Sequence, residues 1–218
     1  MARLPRLALP GLAHYVIQRG HNGQAVFVDA IDREAYHAAM SAAAAAEPVQ
    51  LHAWALLDGE VQLLVTPDAP GGLSRFMQAL NRRYVGAFNR RHGHSGTLWD
   101  GRFRAAVVEP GPLRLQALVL VDAASAGHTS AVQRLGGPRD AMLANPPEYW
   151  ALGNTPFDRE AAYRTLLSEG LPAAAATALR RAALGGWAAG EIEPELAAGD
   201  SLRPLRPRRP GRPRRTAG

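Results

Sequence analysis

The chain has no cysteine among its 218 residues, so disulfide frameworks and thiolate zinc sites are both excluded. Lysine is missing too, and all 25 basic residues are arginine. Together with the abundance of alanine, this looks like a GC-rich coding bias and says nothing about function. Long apolar runs are also lacking. No stretch approaches the ~18 uncharged apolar residues of a membrane span. The opening MARLPRLALPGLAHYVIQRG has too short and broken an apolar run for a signal peptide. A soluble cytoplasmic protein with no membrane partner is expected, large enough for one substantial core with an appendage or for two small domains.

What is present is arginine in two concentrations. Residues 203–215, RPLRPRRPGRPRR, hold seven arginines and no acid, while the other 18 arginines meet 19 acids for a net charge of −1. Within that balanced body, residues 75–104 carry Arg75, Arg82, Arg83, Arg90, Arg91, Arg102 and Arg104 against Asp100 alone. Such placement points to a polyanion partner, and DNA or RNA is the obvious one.

Periodicity organises the chain. HYVIQR (14–19) reads as a strand and residues 28–47 as a helix with Asp29 or Asp32 as its cap. VQLHAWALL (49–57) and EVQLLVT (60–66) read as strands joined by the tight turn Asp58-Gly59. Residues 73–93 read as a helix ending at Gly93, 102–109 as a strand, and Pro112 opens a helix to about Gly127. The sum is β-α-β-β-α-β-α, an α+β arrangement with a mostly antiparallel sheet. Residues 128–157 are loop-rich, and helices are expected at 158–170 and 172–184. Three units follow: 1–127, a helical extension at 128–190, and a flexible Arg/Pro-rich tail at 191–218.

Two features bear on function. On the 73–93 helix, Leu73, Phe76, Met77, Leu80, Tyr84 and Phe88 share one stripe, with Arg75, Arg82, Arg83 and Arg90 opposite. No acid is interleaved there to make i,i+4 pairs, so the face suits a phosphate backbone. Tyr84, on the apolar stripe, reads as a core residue, while His92 and His94, beside Gly93, read as surface or phosphate-contacting. In LLDGEVQLLV (56–65), Glu60 and Gln62 stand two apart on a strand and therefore share a face. By themselves they are either a wetted face or the remnant of a site.

Several stretches together resemble the REP-associated tyrosine transposases of the single-tyrosine HUH superfamily: residues 1–27, LSRFMQALNRRYVGAFNRRHGHSGTLWDGRF (73–103), and RRAALGGWAAGE with PGRPRR near the end. SGTLWDGRF following FNRR is the most specific part. The resemblance implies a ferredoxin-like antiparallel sheet with helices on one face, and recognition of single-stranded or hairpin palindromic DNA by a nucleoid-associated protein. It also implies two metal-binding histidines in a PNHVHLL strand and a tyrosine nucleophile on a later helix of the RYIELNPVRAG type. Here DGEVQLL (58–64) and ALVLVDAASAG (117–127) take those places. Glu60 and Gln62 stand where the histidines belong, Leu118 where the tyrosine belongs, and Asp122 where the third ligand belongs. A transposase fold without its chemistry is therefore expected, with no cofactor. The alternative is a nuclease holding Mg²⁺ or Mn²⁺ on Glu60, Gln62 and Asp122. Arg208, Arg209, Arg212, Arg214 and Arg215 in the tail, around a Gly-Arg-Pro core, resemble an AT-hook for A·T-rich duplex or a generic polycationic arm.

Overall fold

The computed structural model describes residues 7–124, 128–192 and 205–206. Strand β1, His14–Arg19, leads to helix α1, Ala30–Ala46, whose N-terminus is capped by the Asp29 carboxylate accepting from the Asp32 amide. Strands β2, Val49–Leu57, and β3, Glu60–Pro67, form the hairpin expected around Asp58-Gly59. Helix α2, Gly72–His92, stops at Gly93, whose left-handed φ of 58° lets its amide return to the Asn89 carbonyl. Strand β4, Arg104–Val108, and helix α3, Pro112–Asp122, complete the β-α-β-β-α-β-α order, with Pro112 in the first turn of α3.

The sheet order is β2-β3-β1-β4-β5. The β1–β3, β1–β4 and β2–β3 pairs are antiparallel, and β5, Ala188–Ala189, adds in parallel to β4. Two β-α-β units thus interlock, each with a strand of the other between its own pair, which is the ferredoxin-like arrangement the resemblance implied. β5 was not anticipated, because two residues are too few for alternation to show.

Strand alternation gives the sheet two apolar faces, and both are covered. Val16, Val61, Leu63 and Val65 pack with Tyr36 and Met40 of α1 and with Phe76, Leu80 and Tyr84 of α2. The expected single covered face holds for α1 and α2. Helix α3 is on the other side, where Leu118 and Val121 pack with Tyr15, Ile17 and Leu64. Tyr149, Tyr163, Leu179 and Ala183 join this second core. They come from α5 (Pro147–Trp150), α6 (Pro156–Glu169) and α7 (Ala173–Gly185), which follow the short α4, Ala131–Arg134. A sheet whose strands are apolar on both faces cannot leave one face wet, and the segment after residue 128 supplies the cover.

Tyr84 is a core residue as its stripe predicts. It is 1% exposed, donates to the Val26 carbonyl, and packs its ring 4.9 Å from that of Tyr36. Helix α3 ends at Asp122, short of Gly127, and residues 125–127 are outside the described part. So are Arg208, Arg209, Arg212, Arg214 and Arg215 of the tail. Of that segment, Leu205 accepts from the Ala188 amide at 2.9 Å and Arg206 reaches Glu191 at 3.2 Å.

Candidate functional site

Glu60 and Gln62 are brought together on the α3/α7 face of β3, and both are fully engaged. Gln62 donates to Glu60 Oε1 at 2.8 Å and accepts from the Tyr15 hydroxyl at 2.7 Å. Arg180 of α7 lays its fork across the Glu60 carboxylate at 3.0 and 3.1 Å, and Arg19 Nε meets Oε2 at 2.8 Å. Burial alone would raise the Glu60 carboxyl. Hydrogen bonds and charge from Arg180 and Arg19 outweigh it and hold the group below its ordinary range.

Three of these partners, Tyr15, Arg19 and Arg180, were missed by sequence reasoning. The topology supplies the first two, because β1 lies beside β3 and antiparallel register sets Ile17 against Gln62 and Arg19 against Glu60. Nothing local to residue 180 announces that α7 reaches this place. Tyr15, beside Glu60 and Gln62, is held as a buried hydrogen-bond donor. It is 0% exposed, its hydroxyl proton is given to Gln62, and burial pushes its ionisation well above the usual tyrosine range.

Asp122 does not join this group. It is buried with Arg134, whose Nη1 lies 2.7 Å from Oδ2; both side chains are 0% exposed. Ser130 donates to Oδ1 at 2.5 Å and Tyr163 to Oδ2 at 2.6 Å. Arg134 also reaches the His52 carbonyl and stands over the Tyr149 and Tyr163 rings. The residues expected to form one oxygen-ligand site thus form two separate networks, each closed by a guanidinium. Divalent-ion ligands need free lone pairs converging on a point. Here both Glu60 oxygens and both Asp122 oxygens already accept hydrogen bonds, and Arg180 takes the cation's place. The donor set does not fit a metal, and no group of three or more His, Asp or Glu able to hold one occurs among the described residues.

Leu118 lies in the second core and does not face the pair. Leu120 of α3, with Ala123 and Ala124 just past its end, instead lines a cavity of about 540 Å³ shared with Leu57, Gly59, Glu60, Gln62 and Arg180. Leu118, expected at the nucleophile position, has an aliphatic side chain that cannot attack a phosphate.

The arginines of residues 75–104 divide into two sets. Arg91 closes on Asp29 and Asp32 at 2.5 Å each, and His92 joins at 2.9 Å, so both bind α2 to the start of α1. His94 is engaged with Asn89 at 2.9 Å. Arg75 is held by Glu47 at 2.9 Å and by the Pro70 carbonyl. The single-sign face of α2 is thus real along the helix but not in space, because acids from α1 and its flanks reach the two ends. Arg82, Arg83 and Arg90 are exposed and have no acidic partner among the described residues, and the same holds for Arg102 and Arg104 beside β4. Arg104 is cross-strand from Ile17, which places it on the opposite face of the sheet from α2. Arg82 and Arg102 flank one cavity.

In class, then, the chain is an α+β protein with a ferredoxin-like sheet, helices on both faces, and a surface on which unpaired arginines gather along one helix. No family model matches the chain, and no curated protein matches it. Among solved structures, a REP-associated tyrosine transposase bound to a REP hairpin has this fold, with a TM-score of 0.52 and 11% identity over 67% of this chain and 93% of that one. A chain from Deinococcus radiodurans R1, described as a candidate transposase, is 22% identical over 50% of this chain and 88% of its own, with a TM-score of 0.38. The fold implied by the sequence resemblance is the fold found. Among the described residues no helix is long and apolar enough to cross a membrane.

Proposed function

We propose that the protein is a member of the REP-associated tyrosine transposases that binds single-stranded or hairpin DNA and no longer cuts it. The observation that carries the binding half is the set of exposed arginines on α2, Arg82, Arg83 and Arg90, left without acids among the described residues while their neighbours are paired. Phosphate contacts need charge and reach, and require neither a metal nor a nucleophile. The tail arginines 208–215 add salt-sensitive affinity with little discrimination. The catalytic half is supported by the ion-paired Glu60 and by the aliphatic face of α3. A nuclease reading finds no better support, since it needs Glu60, Gln62 and Asp122 to converge.

A hairpin oligonucleotide with single-stranded flanks, incubated with Mg²⁺ or Mn²⁺ and run on native and denaturing gels, tests both halves. The expected result is a retarded native complex and, after denaturation, intact DNA with no protein–DNA band. A metal-dependent covalent band would overturn the inactivity. Cleavage without such a band, abolished in Glu60→Ala, would establish the nuclease instead.

A further inference from the structure

Five buried side-chain polar atoms have no partner among the described residues, and three belong to one cavity: Gln18 Oε1, Asn81 Oδ1 and Trp99 Nε1. Unsatisfied buried polar groups are costly and uncommon, so three in one place call for a ligand. The cavity, about 570 Å³, lies on the α1/α2 side of the sheet, between β1, α2 and the 97–103 segment, with Arg82, Arg102 and Phe103 in its wall. Gln18 and Trp99 are only 4% and 5% exposed, which fixes their groups in position.

We infer that this cavity takes one unpaired nucleobase of a bound DNA strand, with the flanking phosphates on Arg82 and Arg102. The inference rests on the DNA-binding reading above and specifies where sequence is read. The chemistry selects the ligand class. Two amide oxygens accept and one indole N–H donates, which matches the mixed donor and acceptor edge of a base and would repel a bare anion. An aromatic ring, Phe103, lies in the same wall, and guanidinium groups at the mouth suit the adjoining backbone. The volume falls within the ~300–1,000 Å³ usual for small-molecule sites. The cavity is on the opposite face of the sheet from Glu60, so base reading here is independent of the lost chemistry.

The test uses the full chain and four 12-nucleotide homopolymers, dA, dC, dG and dT, beside an abasic strand of equal length, followed by fluorescence anisotropy. One homopolymer should bind about tenfold or more tighter than the weakest base and than the abasic strand, the scale of one well-made base contact. Gln18→Leu, which keeps size but removes the amide, should erase that preference while leaving abasic binding and its salt dependence unchanged. Photocrosslinking of the wild-type protein to strands carrying 5-iododeoxyuridine should label the Trp99 peptide, a readout that does not depend on how the variant folds. Equal binding of all homopolymers and of the abasic strand, or crosslinks only at other peptides, would overturn the base pocket and leave the DNA-binding reading standing. Absence of binding to every strand would remove both.

Discussion

On the α3/α7 face of the sheet, Arg19 and Arg180 converge on Glu60, and Arg134 is sealed against Asp122, so these three guanidinium groups neutralise carboxylates of their own chain. On the face covered by α1 and α2, Arg82, Arg83, Arg90 and Arg102 stand exposed with no acid in reach among the described residues. The two sets carry the same residue type in opposite states. A guanidinium that already has its carboxylate is a structural part, and one without such a partner is available to a phosphate. On the function proposed above, the paired set serves the fold and the unpaired set serves binding.

The largest expected effect tests the sealed face. Asp122→Ala strands a fully buried Arg134 and should cost about 3–5 kcal/mol in urea or guanidinium denaturation, the usual penalty for breaking a buried pair. An exposed arginine such as Arg90, changed to alanine, should move stability by no more than about 0.5 kcal/mol. Similar costs for both would erase the contrast between the faces.

A smaller effect is expected at Glu60. Arg180 and Arg19 are 33% and 47% exposed, so solvent trims the pair, and Glu60→Gln should cost about 1 kcal/mol at neutral pH. The pH dependence has a definite sign. The folded state holds this carboxyl below the ordinary value of 4.5, so the unfolded chain binds more protons in that window. Its stabilisation is complete above about 4.5 and is lost as pH falls through the folded value. Wild-type and Glu60→Gln denaturation midpoints should therefore converge on acidification from pH 7 to 3. Parallel curves would mean that the Arg19–Glu60–Arg180 bridge contributes nothing.

Much of this architecture was legible in the sequence. Asp29, the Asp58-Gly59 turn, Gly93 and Pro112 punctuate α1, the hairpin, α2 and α3 within a residue or two, because caps and turns are local chemistry. The assignment of Tyr84 to the core followed from helical spacing alone. Partnerships across the fold were not legible. Arg91 looked like a phosphate contact until α1 brought Asp29 and Asp32 against it, and Asp122 looked like a ligand until Arg134 arrived from α4. Arg180 lies 120 positions from Glu60 in the chain. Spacing along one element cannot show what a distant element presents to it. The meeting of Glu60 and Gln62 on one strand face could be read in advance, but its closure by Arg180 could not.

The most direct measurement titrates a hairpin oligonucleotide by fluorescence anisotropy at several salt concentrations, against wild type, the triple variant Arg82/Arg83/Arg90→Ala, and Arg91→Ala. Each single-strand phosphate that an arginine ceases to neutralise lowers the slope of log affinity against log salt by about 0.7. The triple variant should therefore flatten the slope by about 2. Arg91→Ala, which breaks only the ion pairs with Asp29 and Asp32, should keep the wild-type slope. Equal slopes for wild type and the triple variant, or flattening by Arg91→Ala alone, would contradict the division between paired and unpaired arginines.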